Sequence, residues 1–178
     1  QTENLTEAKQ YEKSLYQQLD KLHPSFHCSN QLLSVILNHE LLKAEQKGIQ
    51  LNLNILYDKL DFLSDMDLTT IVSNLLDNAI KFSPAKGTIT MFLKQEKNSV
   101  KFIVEDEGPG IEEDVKTRIF DKFYQVDGSH KAEGNGLGLA LVKRIVDSAG
   151  GTIKAENREY GGCRFVVELP IQTNENII

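Results

Sequence analysis

Tryptophan is missing from this 178-residue chain, cysteine occurs only twice and proline four times, and aromatic residues make up 7% of it. Cys28 and Cys163 lie far apart without metal-ligand spacing. That excludes a zinc module and a disulfide framework, and fits reduced thiols in a cytoplasmic setting. Basic charge is in deficit too, with 20 Lys plus Arg against 26 Asp plus Glu and a net charge of −6. Phosphate backbones demand a basic face, so a general DNA or RNA binder is excluded. No apolar run approaches the ~20 residues of a membrane span, and no signal peptide heads the chain. The first residue is Gln1 rather than Met, as expected of a piece of a longer protein. What is present, 40% hydrophobic and 26% charged, suits one cored globular domain with an appendage.

The appendage comes first. Leu5, Ala8, Leu15, Leu19 and Leu22 fall on heptad a and d positions in a Gln/Glu/Lys-rich stretch, with Glu12 as the polar break. Residues 1–24 therefore read as a helix with a narrow seam, suited to a partner helix or to packing on its own domain, and Pro24 ends it. Residues 31–47 read as a second helix, with Leu33, Ile36, Leu37, Leu41 and Ala44 on one face and Gly48 as its stop. Alternation over Ile49 to Tyr57 predicts a half-buried strand. A further helix is expected from an N-cap at Asp67 through Phe82, and a hairpin of strands over 88–97 and 100–105 follows Pro84. Residues 112–119 read as a short helix, Phe120 to Glu133 as a mobile flap, and 137–149 as a helix stopped by Gly150-Gly151. Strands at 152–157 and 163–169 complete a domain over 25–171, and 172–178 form a polar tail.

Three segments carry chemistry. In Asn74-Leu-Leu-Asp-Asn78-Ala-Ile-Lys81, the residues Asn74, Asn78 and Lys81 share one helical face and can address one ligand. Amide oxygens there suit a hard cation such as Mg²⁺, although two amides on a helix surface are by themselves common. Asp106-Glu-Gly108-Pro-Gly110 places an acceptor carboxylate at a strand end beside backbone free to approach a ring, in a pattern an ordinary acidic turn also produces. Gly134-Asn135-Gly136-Leu137-Gly138-Leu139 leads into a helix whose N-terminal amides favour an anion. The spacing is not that of a dinucleotide-binding strand-turn-helix, a Walker loop or a eukaryotic-type kinase. In this order the three read as a nucleotide pocket.

The same residues resemble the N, G1 and G2 boxes of sensor histidine kinases, and Phe120 to Phe123 resembles their F box. The resemblance spans roughly residues 26–170 and implies the catalytic, ATP-binding domain of the gyrase, Hsp90, histidine kinase and MutL superfamily. It implies the Bergerat fold: an α+β two-layer sandwich of a mixed, mostly antiparallel five-stranded sheet and three helices, here preceded by the N-terminal helix. It implies that Asn78, supported by Asn74, holds Mg²⁺ and phosphates while Lys81 neutralises charge. Asp106 would accept from the adenine amine, beside Gly108 and Gly110. Ile111 and Leu139 would line the base, and Phe82 takes the place of a stacking aromatic. Gly134, Asn135, Gly136, Leu137 and Gly138 would wrap the phosphates under a flap between Tyr124 and Glu133, with His130 and Lys131 as further contacts. Two positions depart from the family: Asn135 stands where Thr is common, and Cys163 where Ser or Thr is.

The reaction implied is transfer of the γ-phosphoryl of ATP to a histidine on a dimerisation domain. The family's acceptor is a His-Glu pair followed shortly by Pro; His39-Glu40 is followed by Leu41-Leu42-Lys43 and reads as helix surface, while His23 and His27 read as linker. The acceptor is expected outside this chain, the parent kinase is expected to be a homodimer on the cytoplasmic side of a membrane-bound sensor, and a response regulator is expected downstream. An anti-sigma-factor type of serine kinase and a non-catalytic ATP-binding dimer module are the alternatives.

Overall fold

Alternation along the strands sorts their side chains onto two faces, and the computed structural model, which describes residues 26–125 and 135–171, uses one face as a floor for helices. The elements are α1 (Gln31–Gln46), β1 (Gln50–Ile55), α2 (Asp65–Phe82), β2 (Thr88–Glu96), β3 (Ser99–Glu105), a 3₁₀ turn (Arg118–Phe120), α3 (Gly138–Ser148), β4 (Thr152–Asn157) and β5 (Cys163–Pro170). The strands make one sheet in the order β1-β2-β3-β5-β4. Only β1 and β2 run parallel; the other three pairs are antiparallel. The expected helix over 1–24, the tail over 172–178 and residues 126–134 of the expected flap lie outside the described residues.

Register aligns apolar rows across all five strands. Ile55, Leu93, Phe102, Val167 and Ile153 form one row, and Leu53, Met91, Val104, Phe165 and Ala155 the next. Against these rows α2 lays Leu68, Ile71, Val72, Leu75, Leu76, Ala79 and Ile80, α1 lays Leu33, Ile36, Leu37 and Ala44, and α3 lays Val142 and Val146. Burying each large aliphatic side chain contributes about 1.5–3 kcal/mol, so α2, with most of them, anchors the helical layer.

Two boundaries differ from the sequence reading. The N-cap of α2 is Ser64, not Asp67: Asp67 N–H donates to Ser64 Oγ (3.1 Å), and the same hydroxyl donates to Asp67 Oδ2 (2.7 Å). Asp67 therefore belongs to the first turn, where with Asp65 it faces the positive end of the helix dipole. Residues 112–119 do not form an α-helix. Val115 and Arg118 N–H donate three residues back, to Glu112 and Val115, so the chain turns in 3₁₀ fashion into Arg118–Phe120. A single turn fixes too many torsions per hydrogen bond to persist as an α-helix, and Val115 is the one buried side chain there. The stop of α1 is Gly48 as expected, in the left-handed region at φ +67°.

Candidate nucleotide site

The end of β3 delivers Asp106 to the floor of the site. Its side chain is 3% exposed, and Oδ1 accepts from the N–H groups of Gly108 (2.8 Å) and Cys163 (3.2 Å). Its main chain is held as well: Asp106 N–H donates to Cys163 O (2.9 Å), and Arg158 Nη1 donates to Asp106 O (2.6 Å). Oδ2 accepts nothing from the described residues, so one carboxylate oxygen is spent on the fold and the other is available. Burial raises the Asp106 pKa above the ordinary aspartate value, while the Gly108 and Cys163 N–H groups and the nearby Arg158 charge pull it down. Burial, and then the Asp106 charge, push the neighbouring Cys163 thiol up to about 12, so it stays protonated and packs as a small apolar group.

The glycines around Asp106 are explained by contact. A Cβ at Gly108 would lie 2.9 Å from both Asp106 Oδ1 and Phe82 O, so this loop closes directly on the end of α2. Gly110 sits at φ +79°, and beyond it Asn157 of β4 clamps Ile111: Ile111 N–H donates to Asn157 Oδ1 (2.8 Å) and Asn157 Nδ2 to Ile111 O (2.8 Å). Gly162 is tighter still. At φ +87° its Cβ would fall 1.9 Å from Asp106 O. Sequence reasoning missed Asn157, Arg158 and Gly162; the Gly161-Gly162 pair between two alternating segments was the available signal.

On the other side, α2 presents its polar face. Asn78 Nδ2 donates to Asn74 O (2.6 Å) and Asn74 Nδ2 donates to Thr70 O (2.7 Å). These bonds settle which way both amides point and leave Asn78 Oδ1 accepting nothing from the described residues. Lys81 Nζ lies 5.1 Å from the centroid of the Phe82 ring, which is half exposed. The start of α3 meets this face: a Cβ at Gly138 would sit 2.3 Å from Asn74 Oδ1. Leu137, the N-cap of α3, supplies no side-chain hydrogen bond, so the first N–H groups of that helix have no side-chain cap among the described residues. Leu139 and Ile111 are half-buried against the core.

The aromatic segment joins this side through backbone. Phe123 N–H donates to Gly136 O (2.8 Å), and a Cβ at Gly136, which has φ +63°, would meet the Phe123 and Tyr124 backbone at 2.8 Å. Asn135 is exposed, while Lys131 and Gly134 lie outside the described residues. The structure thus brings Asn74 to Gly138, Phe82 to Gly108, Asp106 to Cys163 and Gly136 to Phe123. A groove of about 620 Å³ lined by Phe26, Leu41, Leu51 and Leu53 shares no residue with them. Chemically the arrangement offers a sealed acceptor at one end and amide oxygens beside uncapped helix N–H groups at the other. No cluster of three or more His, Cys, Asp or Glu that could hold a metal forms among the described residues. A hard cation placed here would meet amide oxygens of α2 and would draw further ligands from water or a phosphate.

Comparison with known proteins follows the same lines. Residues 64–173 match the family model described as histidine kinase-, DNA gyrase B-, and HSP90-like ATPase. Sensor protein RprX of Bacteroides fragilis is 31% identical over 152 residues, which are 83% of this chain and 29% of that one. Sensor histidine kinase CusS of Escherichia coli is 39% identical over 130 residues, 71% of this chain and 26% of that one. Among solved structures, the catalytic domain of histidine kinase ThkA superposes with a TM-score of 0.68 at 28% identity, covering 80% of this chain and 91% of that one. The chain spans less than a third of the length of these two sensor proteins.

Proposed function

The chain belongs to the histidine kinase-, DNA gyrase B-, and HSP90-like ATPase family, and from that premise we propose that it is the ATP-binding catalytic domain of a sensor histidine kinase. The observation that carries the reading is the Asp106 carboxylate. It is buried at 3% exposure, its Oδ1 is held by two backbone N–H groups, and its Oδ2 is left to accept from the exocyclic amine of adenine. Gly108 and Gly110 let backbone approach the ring, with Ile111, Leu139 and Phe82 as its apolar neighbours. Asn78, supported by Asn74, offers its amide oxygen to Mg²⁺, and Lys81 and Lys131 neutralise phosphate charge. Gly134, Asn135, Gly136, Leu137 and Gly138 bring backbone N–H groups to the phosphates at the start of α3. Bound Mg²⁺ supplies charge neutralisation along the triphosphate; the protein supplies position, which carries most of phosphoryl transfer.

The γ-phosphoryl passes to a histidine of a dimerisation domain of the same kinase, and from there to a response regulator. The parent works as a homodimer with this domain on the cytoplasmic side. No helix among the described residues is long and apolar enough to cross a membrane. His39-Glu40 is followed by Leu41-Leu42-Lys43 and lacks the Pro of the family's acceptor pair, so the acceptor is assigned to the dimerisation domain and not to His39. Calorimetric titration with MgATP tests the reading. Binding by the parent chain, weakened by about 1.5–3 kcal/mol in Asp106→Asn, is the expected result. Equal affinity in the two proteins removes the pocket assignment.

A further inference from the structure

Glu40 interrupts the apolar face of α1. Its side chain is 0% exposed, placed between Ile36 and Ala44 one turn either way, where an aliphatic residue would complete the core. Lys43 Nζ donates to its Oε1 (2.9 Å), and His39 Nδ1 lies 3.3 Å from the same oxygen. Oε2 is sealed from water with no partner among the described residues. Lys43 Nζ also donates to Oδ1 of Asp77 on α2 (2.7 Å), so one ammonium bridges a buried carboxylate of α1 and a half-exposed carboxylate of α2. Burial drives the Glu40 pKa up, Asp77's charge adds to that, and Lys43 and His39 oppose it.

Stability does not account for this arrangement. A buried ion pair with an unsatisfied oxygen rarely outperforms a well-packed aliphatic side chain of the same volume. What the bridge supplies and an aliphatic residue does not is direction. Asp77 precedes Asn78 and lies one turn from Asn74 on one side and from Lys81 on the other. The side-chain bonds of Asn74 and Asn78 stay within α2 and leave the rotation of the helix open. The face that α2 buries is aliphatic, and apolar burial is non-directional, so it does not by itself single out one rotation. Tolerance for rotation is nonetheless small, because Asn74 Oδ1 sits where a Cβ at Gly138 would be only 2.3 Å away.

We propose that Glu40, Lys43 and Asp77 are a positioning clamp that sets the rotation of α2, and with it the aim of Asn74 and Asn78 at the phosphates. The clamp rests on the nucleotide reading above. It predicts a split between the two ends of the ligand, since the Asp106 carboxylate is held by main chain of the Gly108 loop and β5, and α2 meets that end at its last residue, Phe82, rather than along the face that carries Asn74 and Asn78.

The test is titration of the chain with MgATP and, separately, with adenosine, for the parent, Lys43→Met, Asp77→Ala and Lys43→Arg. Lys43→Met and Asp77→Ala, which removes the acceptor on α2, are expected to weaken MgATP about 3- to 30-fold, the range of coupling carried through packed elements. Adenosine affinity stays within twofold, and Lys43→Arg, which keeps both contacts, retains parental MgATP affinity. Lys43→Met strands a buried charge, so if it does not fold, Asp77→Ala decides the matter alone. Parallel losses for both ligands, or no loss for either, overturn the clamp. A parent chain that binds neither ligand overturns the nucleotide reading itself.

Discussion

The two ends of the site are made in different ways. At the Asp106 end the polar contacts run through main chain: the N–H groups of Gly108 and Cys163 on Oδ1, Arg158 on the carbonyl, and glycines whose Cβ atoms would collide with their surroundings. At the Asn78 end the contacts are side chains on one helix, bonded to that helix's own carbonyls and aimed by how it packs. A template of sheet and backbone tolerates no change of shape, whereas a helix face tolerates changes of residue but is sensitive to rotation. Each end should therefore fail in its own way.

Gly162→Val should have the largest effect. It puts a branched side chain at φ +87° where a Cβ already meets Asp106 O at 1.9 Å. Strain of the left-handed backbone alone costs about 1–2 kcal/mol, and the collision adds to it. Denaturant unfolding should show a lowered midpoint together with loss of nucleotide binding. A variant as stable as the parent would mean the base end is softer than its contacts indicate.

Asp106→Asn separates binding from folding. Asn can still accept from Gly108 and Cys163 through Oδ1, and it removes a charge that burial disfavours. Stability should hold or rise while ATP affinity falls by about 1.5–3 kcal/mol, the usual range for a hydrogen bond to a charged group. Paired thermal melts and calorimetry read both quantities.

The pH dependence sharpens the same contrast. Because burial raises the folded Asp106 pKa above its unfolded value, folding favours the protonated carboxyl. The associated destabilisation is relieved as pH falls through the folded pKa. Nucleotide binding needs the ionised acceptor, so affinity should fall over that same interval, beginning above the pH at which an ordinary aspartate titrates. Titrations across that range in parent and Asp106→Asn should show the slope only in the parent.

Asn78→Ala should do least to the fold, since it removes a half-buried amide bonded only within α2. MgATP affinity is expected to drop about tenfold, about 1.4 kcal/mol, with affinity for metal-free adenosine unchanged. A loss of equal size for both ligands would place Asn78 outside the phosphate end.

The unequal legibility of the site follows the same division. Asn74, Asn78 and Lys81 stand out in the sequence because helical spacing puts them on one face, and the glycine cluster stands out because it precedes a helix. Asp106 is legible as a carboxylate at a strand end. Its partners are not: Arg158 and Cys163 reach it across more than fifty residues of chain, and Asn157 reaches Ile111 over a similar separation. The capping error has a local cause, since Ser64 and Asp67 can each cap a helix and only the hydroxyl's paired bonds show which one does. Glu40 escaped for the opposite reason. The apolar face of α1 reads as Leu37, Leu41 and Ala44, but in the structure Leu41 is only half-buried and Glu40 takes the sealed position.

By itself the sequence determined the order and type of the three helices and five strands among the described residues, the apolar rows of the sheet and the motifs of the site, because period and turn chemistry act over a few residues. Tertiary structure alone decided which oxygen of Asp106 is left over, why Gly162 and Gly138 must lack a side chain, and how Lys43 ties α1 to α2. Those features depend on distances between segments remote in the chain, and such distances exist only once the sheet and its helices have packed.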